Sequence, residues 1–136
     1  MIALALAAAV VLRVGGQRQK TAMTAVLLCW IAATLGQIAT GRLLVPLIVG
    51  DVVFSLWLLW FAWRKPEWWV LVLLAIEGAR LVMHATIYGA SAGVPYALLN
   101  NTLSLAGLAV LAAAALVDAR LRARRQGPQP EARPVL

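Results

Sequence analysis

Residues 95–117, PYALLNNTLSLAGLAVLAAAALV, run without a single charged side chain. A helix that crosses a bilayer needs about 20 mostly apolar residues, with a workable range of about 17–25. This stretch meets that requirement, and its polar members (Tyr96, Asn100, Asn101, Thr102, Ser104) are few and uncharged. Three more runs of similar length precede it. Residues 68–88 carry only Glu77, Arg80 and His84 as ionisable groups short of the terminal tyrosine, and residues 43–63 carry only Asp51. Residues 21–40, between Lys20 and Arg42, carry no charge. The first run, residues 1–14, is short and holds Arg13 near its end. An arginine there can snorkel to the interface, so a locally thinned bilayer accommodates it.

The breaks fall where helices should end. Gly15-Gly16-Gln17-Arg18-Gln19-Lys20, Thr40-Gly41-Arg42, Arg64-Lys65-Pro66-Glu67 and the glycine-rich stretch before Pro95 separate the runs. Pro95 suits a helix start, and Pro46 falls in a first turn where its missing N–H costs little. The expectation is an all-α integral membrane bundle of five transmembrane helices, at about 1–14, 21–40, 43–63, 68–88 and 95–117. A basic tail, 118–136, should continue as helix past the interface and end in disorder.

Composition agrees. The 136 residues are 63% hydrophobic and 12% charged, against about 45–50% and about 25% in soluble domains. A domain this small could not bury so much apolar surface, so a water-soluble globule is excluded. The net charge is +7, from twelve Lys/Arg and five Asp/Glu. These basic residues sit between the apolar runs and in the tail, where they serve orientation and anionic lipid headgroups instead of nucleic acid. Basic-rich and basic-poor connections alternate, which places the N-terminus outside and the C-terminus inside, as in a multi-pass protein of the bacterial inner membrane. The charges of the first run follow its apolar stretch, so an uncleaved helix is expected instead of a signal peptide. The single cysteine, Cys29, excludes an internal disulfide.

Ionisable groups inside a membrane helix cost about 2.5–3.5 kcal/mol each on insertion scales, so each calls for a partner or a use. At helical spacing Glu77, Arg80, His84 and Tyr88 share one stripe. Tyr96, Asn100, Ser104 and Gly107 share another, with Asn101 beside it. Trp30, Thr34 and Gln37 share a third, and Asp51 and Ser55 a fourth. By the helical rise, Asp51, Arg80 and Ser104 lie roughly 13–14 Å below the outer ends of their helices. Gln37, His84 and Asn100 lie about 6–8 Å in, and Glu77 is near the midplane. An Asp51–Arg80 contact is therefore available. The expectation is a polar cavity open to the outside, with His84 and Tyr88 at its entrance and a closed apolar inner half.

The blander readings are concrete. Asp51 with Arg80 can be a structural ion pair, and Glu77 with Arg80 is an ordinary i,i+3 helix pair. Trp60, Trp63, Trp68 and Trp69 fit an interfacial belt. Asn100, Asn101 and Gln37 can glue helices together, and Ala32/Gly36/Thr40 and Ala109/Ala113 fit close helix packing, within one chain or between chains. Arg120, Arg122, Arg124 and Arg125 fit headgroup contact. No cofactor is expected; one histidine cannot supply two haem ligands within one chain, and a quinone between tryptophans is a weaker thought. No nucleotide, metalloprotease or redox motif is present, and a hydrolase set of Ser55, His84 and Asp51 has no motif to place it. A non-enzymatic reading leads: an outward-facing cavity that binds or conducts a proton, cation or small ligand, built from Asp51, Glu77, Arg80, His84, Tyr88, Asn100, Ser104 and Gln37. Its rivals are an accessory or assembly subunit of a larger membrane complex, its polar network structural, and a phage-type holin or pore former; the partners expected are the bilayer and either further copies of the chain or a larger membrane complex.

Overall fold

The computed structural model describes residues 2–41, 44–87 and 93–126. Among these residues the chain is five helices and no strand: α1 (Ile2–Val14), α2 (Gln17–Thr40), α3 (Leu44–Arg64), α4 (Trp68–Ile87) and α5 (Gly93–Arg125). Four of them, α2 to α5, are long and apolar enough to cross a membrane, and α1 is a shorter apolar helix. The bundle is thus of the all-α membrane kind. α2 starts four residues before the expected position because Gln17, Arg18, Gln19 and Lys20 extend the helix beyond the apolar run. α5 likewise continues through the arginines to Arg125, while residues 127–136 lie outside the described residues.

Each helix packs against the next, and α5 returns to α1 and reaches across to α2, so the five form a closed ring in chain order. Short connections force neighbours to run antiparallel. One end of the ring gathers nearly all the described charges outside the helices' apolar spans. There Arg18 pairs with Glu67, donates to the carbonyls of Phe61 (3.3 Å) and Lys65 (3.1 Å), and lies 4.1 Å over the Phe61 ring. Gln19 donates to Asp118, and Arg122 donates to the Val14 carbonyl. This is the basic end. At the other end α2 stops at Gly41, whose left-handed conformation (φ 64°) lets its N–H donate to the Gln37 carbonyl at 2.9 Å.

The half nearer the basic end is closed. Small side chains let α1 and α5 approach: Ala7, Ala8 and Val11 meet Leu111, Ala114 and Ala115 in one buried cluster. An aromatic column continues it along α3, with Phe54, Trp57 and Phe61 stacked at 5.8 and 4.8 Å and Trp69 against Phe61 at 6.1 Å. Ala109, Ala113 and Ala32 are exposed in the single chain, which leaves them to contacts between chains or with lipid, and the face by which α5 packs within the bundle is one residue over, at Ala114 and Ala115. Gly36 does serve close approach, since a Cβ there would sit 2.8 Å from Pro46 on α3. The large apolar side chains that remain exposed, from Leu28 and Ile38 to Leu98 and Leu116, clothe the outside of the ring. Such a surface suits a lipid bilayer.

Candidate polar cluster and cavity

Three ionisable side chains are buried in the half away from the basic end: Asp51 at 7% exposure, Glu77 at 5% and His84 at 3%. α4 presents Glu77, Arg80 and His84 from one face because they are spaced three and four residues apart, one helical turn each. The same face carries Trp69 and Leu73 into the core lower down, so the stripe points inward along the whole helix. Asp51 faces it from α3, and Asn100 and Tyr96 from α5.

Arg80 is the hub. Its Nη2 lies 2.9 Å from Asp51 Oδ1, its Nη1 lies 3.1 Å from both Glu77 oxygens, and Nη2 reaches Asn100 Oδ1 at 3.5 Å. The other Asp51 oxygen, Oδ2, accepts from His84 Nε2 at 2.8 Å. A carboxylate can only accept, so the proton of that bond belongs to the imidazole. The second ring nitrogen, Nδ1, lies 2.8 Å from the Tyr96 hydroxyl, which donates to it when the ring is neutral. Three helices are thereby tied through one continuous chain, Tyr96–His84–Asp51–Arg80–Glu77. The Arg80 Nε is buried with no protein partner.

Beside this chain lies a cavity of about 540 Å³, walled by all five helices. Glu77, Arg80, Asp51, Asn100, Asn101 and Ser104 form its polar side. Ala3, Leu4, Val26, Ala33, Leu47 and Leu108 are among its apolar residues, with Trp30 and Phe54 as aromatic surfaces. Leu73 and Leu111, members of the closed core, form its floor. Asp51 has both oxygens engaged, by two residues of α4. Glu77 has only Arg80, and that guanidinium is shared.

Several expected residues fall elsewhere. Gln37 is exposed, one turn beyond Ala33, where α2 outruns the cavity wall, and does not join the cluster. His84 lies buried behind Asp51 and is not among the cavity-lining residues, so it does not form an entrance. Tyr88 lies outside the described residues. Ser104 does line the cavity, with its hydroxyl donated to the Asn100 carbonyl at 2.8 Å. Trp60, Trp63 and Trp68 are exposed, but Trp69 is a core residue at 2% exposure whose Nε1–H donates to Glu67 at 2.6 Å. Arg120, Arg124 and Arg125 are exposed, and Arg122, also exposed, holds Val14. The Ser/His/acid set is not assembled, because Asp51 and Tyr96 occupy both nitrogens of His84 and Ser55 Oγ makes no hydrogen bond. For the same reason His84 could take up an iron only by giving up one of these bonds.

Tyr96 is the residue that sequence reasoning passed over. It was visible on the Asn100/Ser104 face, but its tie to His84 depends on where α4 and α5 meet. No known protein family, curated protein or solved structure matches this chain. The functional reading therefore stands on the geometry alone.

Proposed function

We propose that this is a small multi-pass membrane protein whose cavity binds or conducts a proton, a cation or a small cationic ligand, with Glu77 as the receiving carboxylate. One observation carries the reading: a carboxylate in the cavity wall whose guanidinium partner is shared with a second carboxylate. With His84 uncharged, two negative side chains against one positive leave an excess negative charge, and that charge favours a cation. The ion chain behind it holds Glu77 and Arg80 in place, as a binding site requires. By the positive-inside rule the basic end faces the cytoplasm of a bacterial inner membrane, and the cavity lies in the external half. Arg120, Arg124 and Arg125 then stand at the level of anionic headgroups.

A second reading has its own observation. Both Asp51 oxygens are satisfied within the protein, which is what a purely structural network in an accessory subunit would show. Proteoliposomes loaded with pH- and cation-sensitive dyes separate the two. The proposal expects flux from the wild type that Glu77→Gln abolishes. An inert wild type that co-purifies with larger membrane partners supports the accessory subunit, and expression alone permeabilising cells supports a holin.

A further inference from the structure

We propose that the cavity takes a monovalent lipophilic organic cation, its charge at Glu77 and its apolar body against Val26, Trp30, Leu47, Phe54 and Leu108. The inference rests on the reading of Glu77 given above and narrows it to one chemical class.

Size is the first argument. A proton needs no cavity and a bare metal ion needs a small one, whereas about 540 Å³ falls within the range of about 300–1,000 Å³ typical of sites for small organic molecules. The wall is the second. Calcium takes about six to eight oxygen ligands and magnesium a near-octahedral set. Here Asp51 is already bonded through both oxygens and Asn100 Oδ1 faces Arg80. Among the described residues no group of three His, Cys, Asp or Glu side chains is placed to hold a metal ion. Most of the wall is apolar, contributed by all five helices, which suits a hydrocarbon or aromatic body.

Charge and aromatic surface complete the case. An anion would meet Glu77 and Asp51, with Arg80 already committed to both. A cation meets one under-compensated carboxylate. Trp30 and Phe54 add aromatic faces, which attract organic cations within about 6 Å of the ring. The ligand would be delocalised or substituted enough to shed water cheaply, since most of the wall is apolar.

The probe is tetraphenylphosphonium, with tetraphenylborate as its charge-inverted twin and sodium as the inorganic competitor, on the full-length protein in mild detergent. Saturable tetraphenylphosphonium binding is expected, with tetraphenylborate and sodium unable to displace it. Glu77→Gln should weaken it at least about tenfold, the loss of one charge-assisted contact, and Glu77→Asp should retain it. Ala33→Phe, which narrows the cavity from the α2 wall and leaves the charged chain untouched, should weaken it at least about tenfold; this variant keeps the test valid if Glu77→Gln does not fold. Equal binding of both tetraphenyl ions, indifferent to Glu77, overturns the inference in favour of a merely apolar pocket. Displacement by sodium, with Ala33→Phe still binding sodium, overturns it while the broader cation reading survives. No binding of any cation together with inert proteoliposomes sinks both.

Discussion

Replacing Arg80 with Met keeps the unbranched stem of the side chain and removes its charged head. Asp51 and Glu77 would then face each other with side-chain exposures of only 10% and 6%. Breaking a buried pair by removing one partner costs about 3–5 kcal/mol, because the orphaned charge stays behind. For a chain of this size that corresponds to a loss of roughly 10 °C or more in thermal midpoint. Asp51→Asn relieves part of that cost, since only Glu77 is then left as a buried carboxylate without its guanidinium. A double-mutant cycle of the two, read by thermal unfolding in detergent, should give a coupling energy of about 1–3 kcal/mol. Arg80→Met unfolding within a degree or two of wild type would refute the reasoning. So would single-variant effects that simply add.

Tyr96→Phe removes the donor to His84 Nδ1 and should cost about 1–3 kcal/mol; because the chain has one histidine, its ring nitrogen resonances report the change directly, and an unchanged spectrum would deny the bond. Gly36→Ala should destabilise by about 1–3 kcal/mol, since the added Cβ meets Pro46 at 2.8 Å. Gly78→Ala, where a Cβ meets nothing within 4 Å, should be neutral or gain up to about 1 kcal/mol from helix propensity; thermal scans of the two variants side by side test that contrast. Gln37→Ala should leave both stability and cation binding unchanged, as its exposed position requires, and a loss of binding would return it to the cluster.

The spans were legible because apolar run length in a bilayer is a strong constraint. The inward stripe of α4 was legible too, since Glu77, Arg80 and His84 recur at helical spacing and could not all face lipid. The sequence held one further signal that went unused: Trp69 lies on that same stripe, eight residues before Glu77, so it had to be buried while Trp68, rotated by about 100°, faces outward. Composition favoured a tryptophan belt, and periodicity overrules composition there. Gln37 shows the opposite failure. It shares a face with Ala33, but face alone does not say how far along a helix the cavity reaches. The link from Tyr96 to His84, and the clasp of Arg18 with Glu67, depend on the relative height of separate helices. No single-helix pattern encodes that height.

The cavity carries its own reporter. Cys29, the chain's single cysteine, is half-buried in its wall. Cationic and anionic methanethiosulfonates of similar size can be compared on the folded protein, each rate normalised to a free thiol. An excess negative charge at Glu77 should make the cationic reagent at least about tenfold faster, and Glu77→Gln should erase most of that preference. A Cys29 that reacts only after unfolding, or a charge preference that ignores Glu77, would contradict the account.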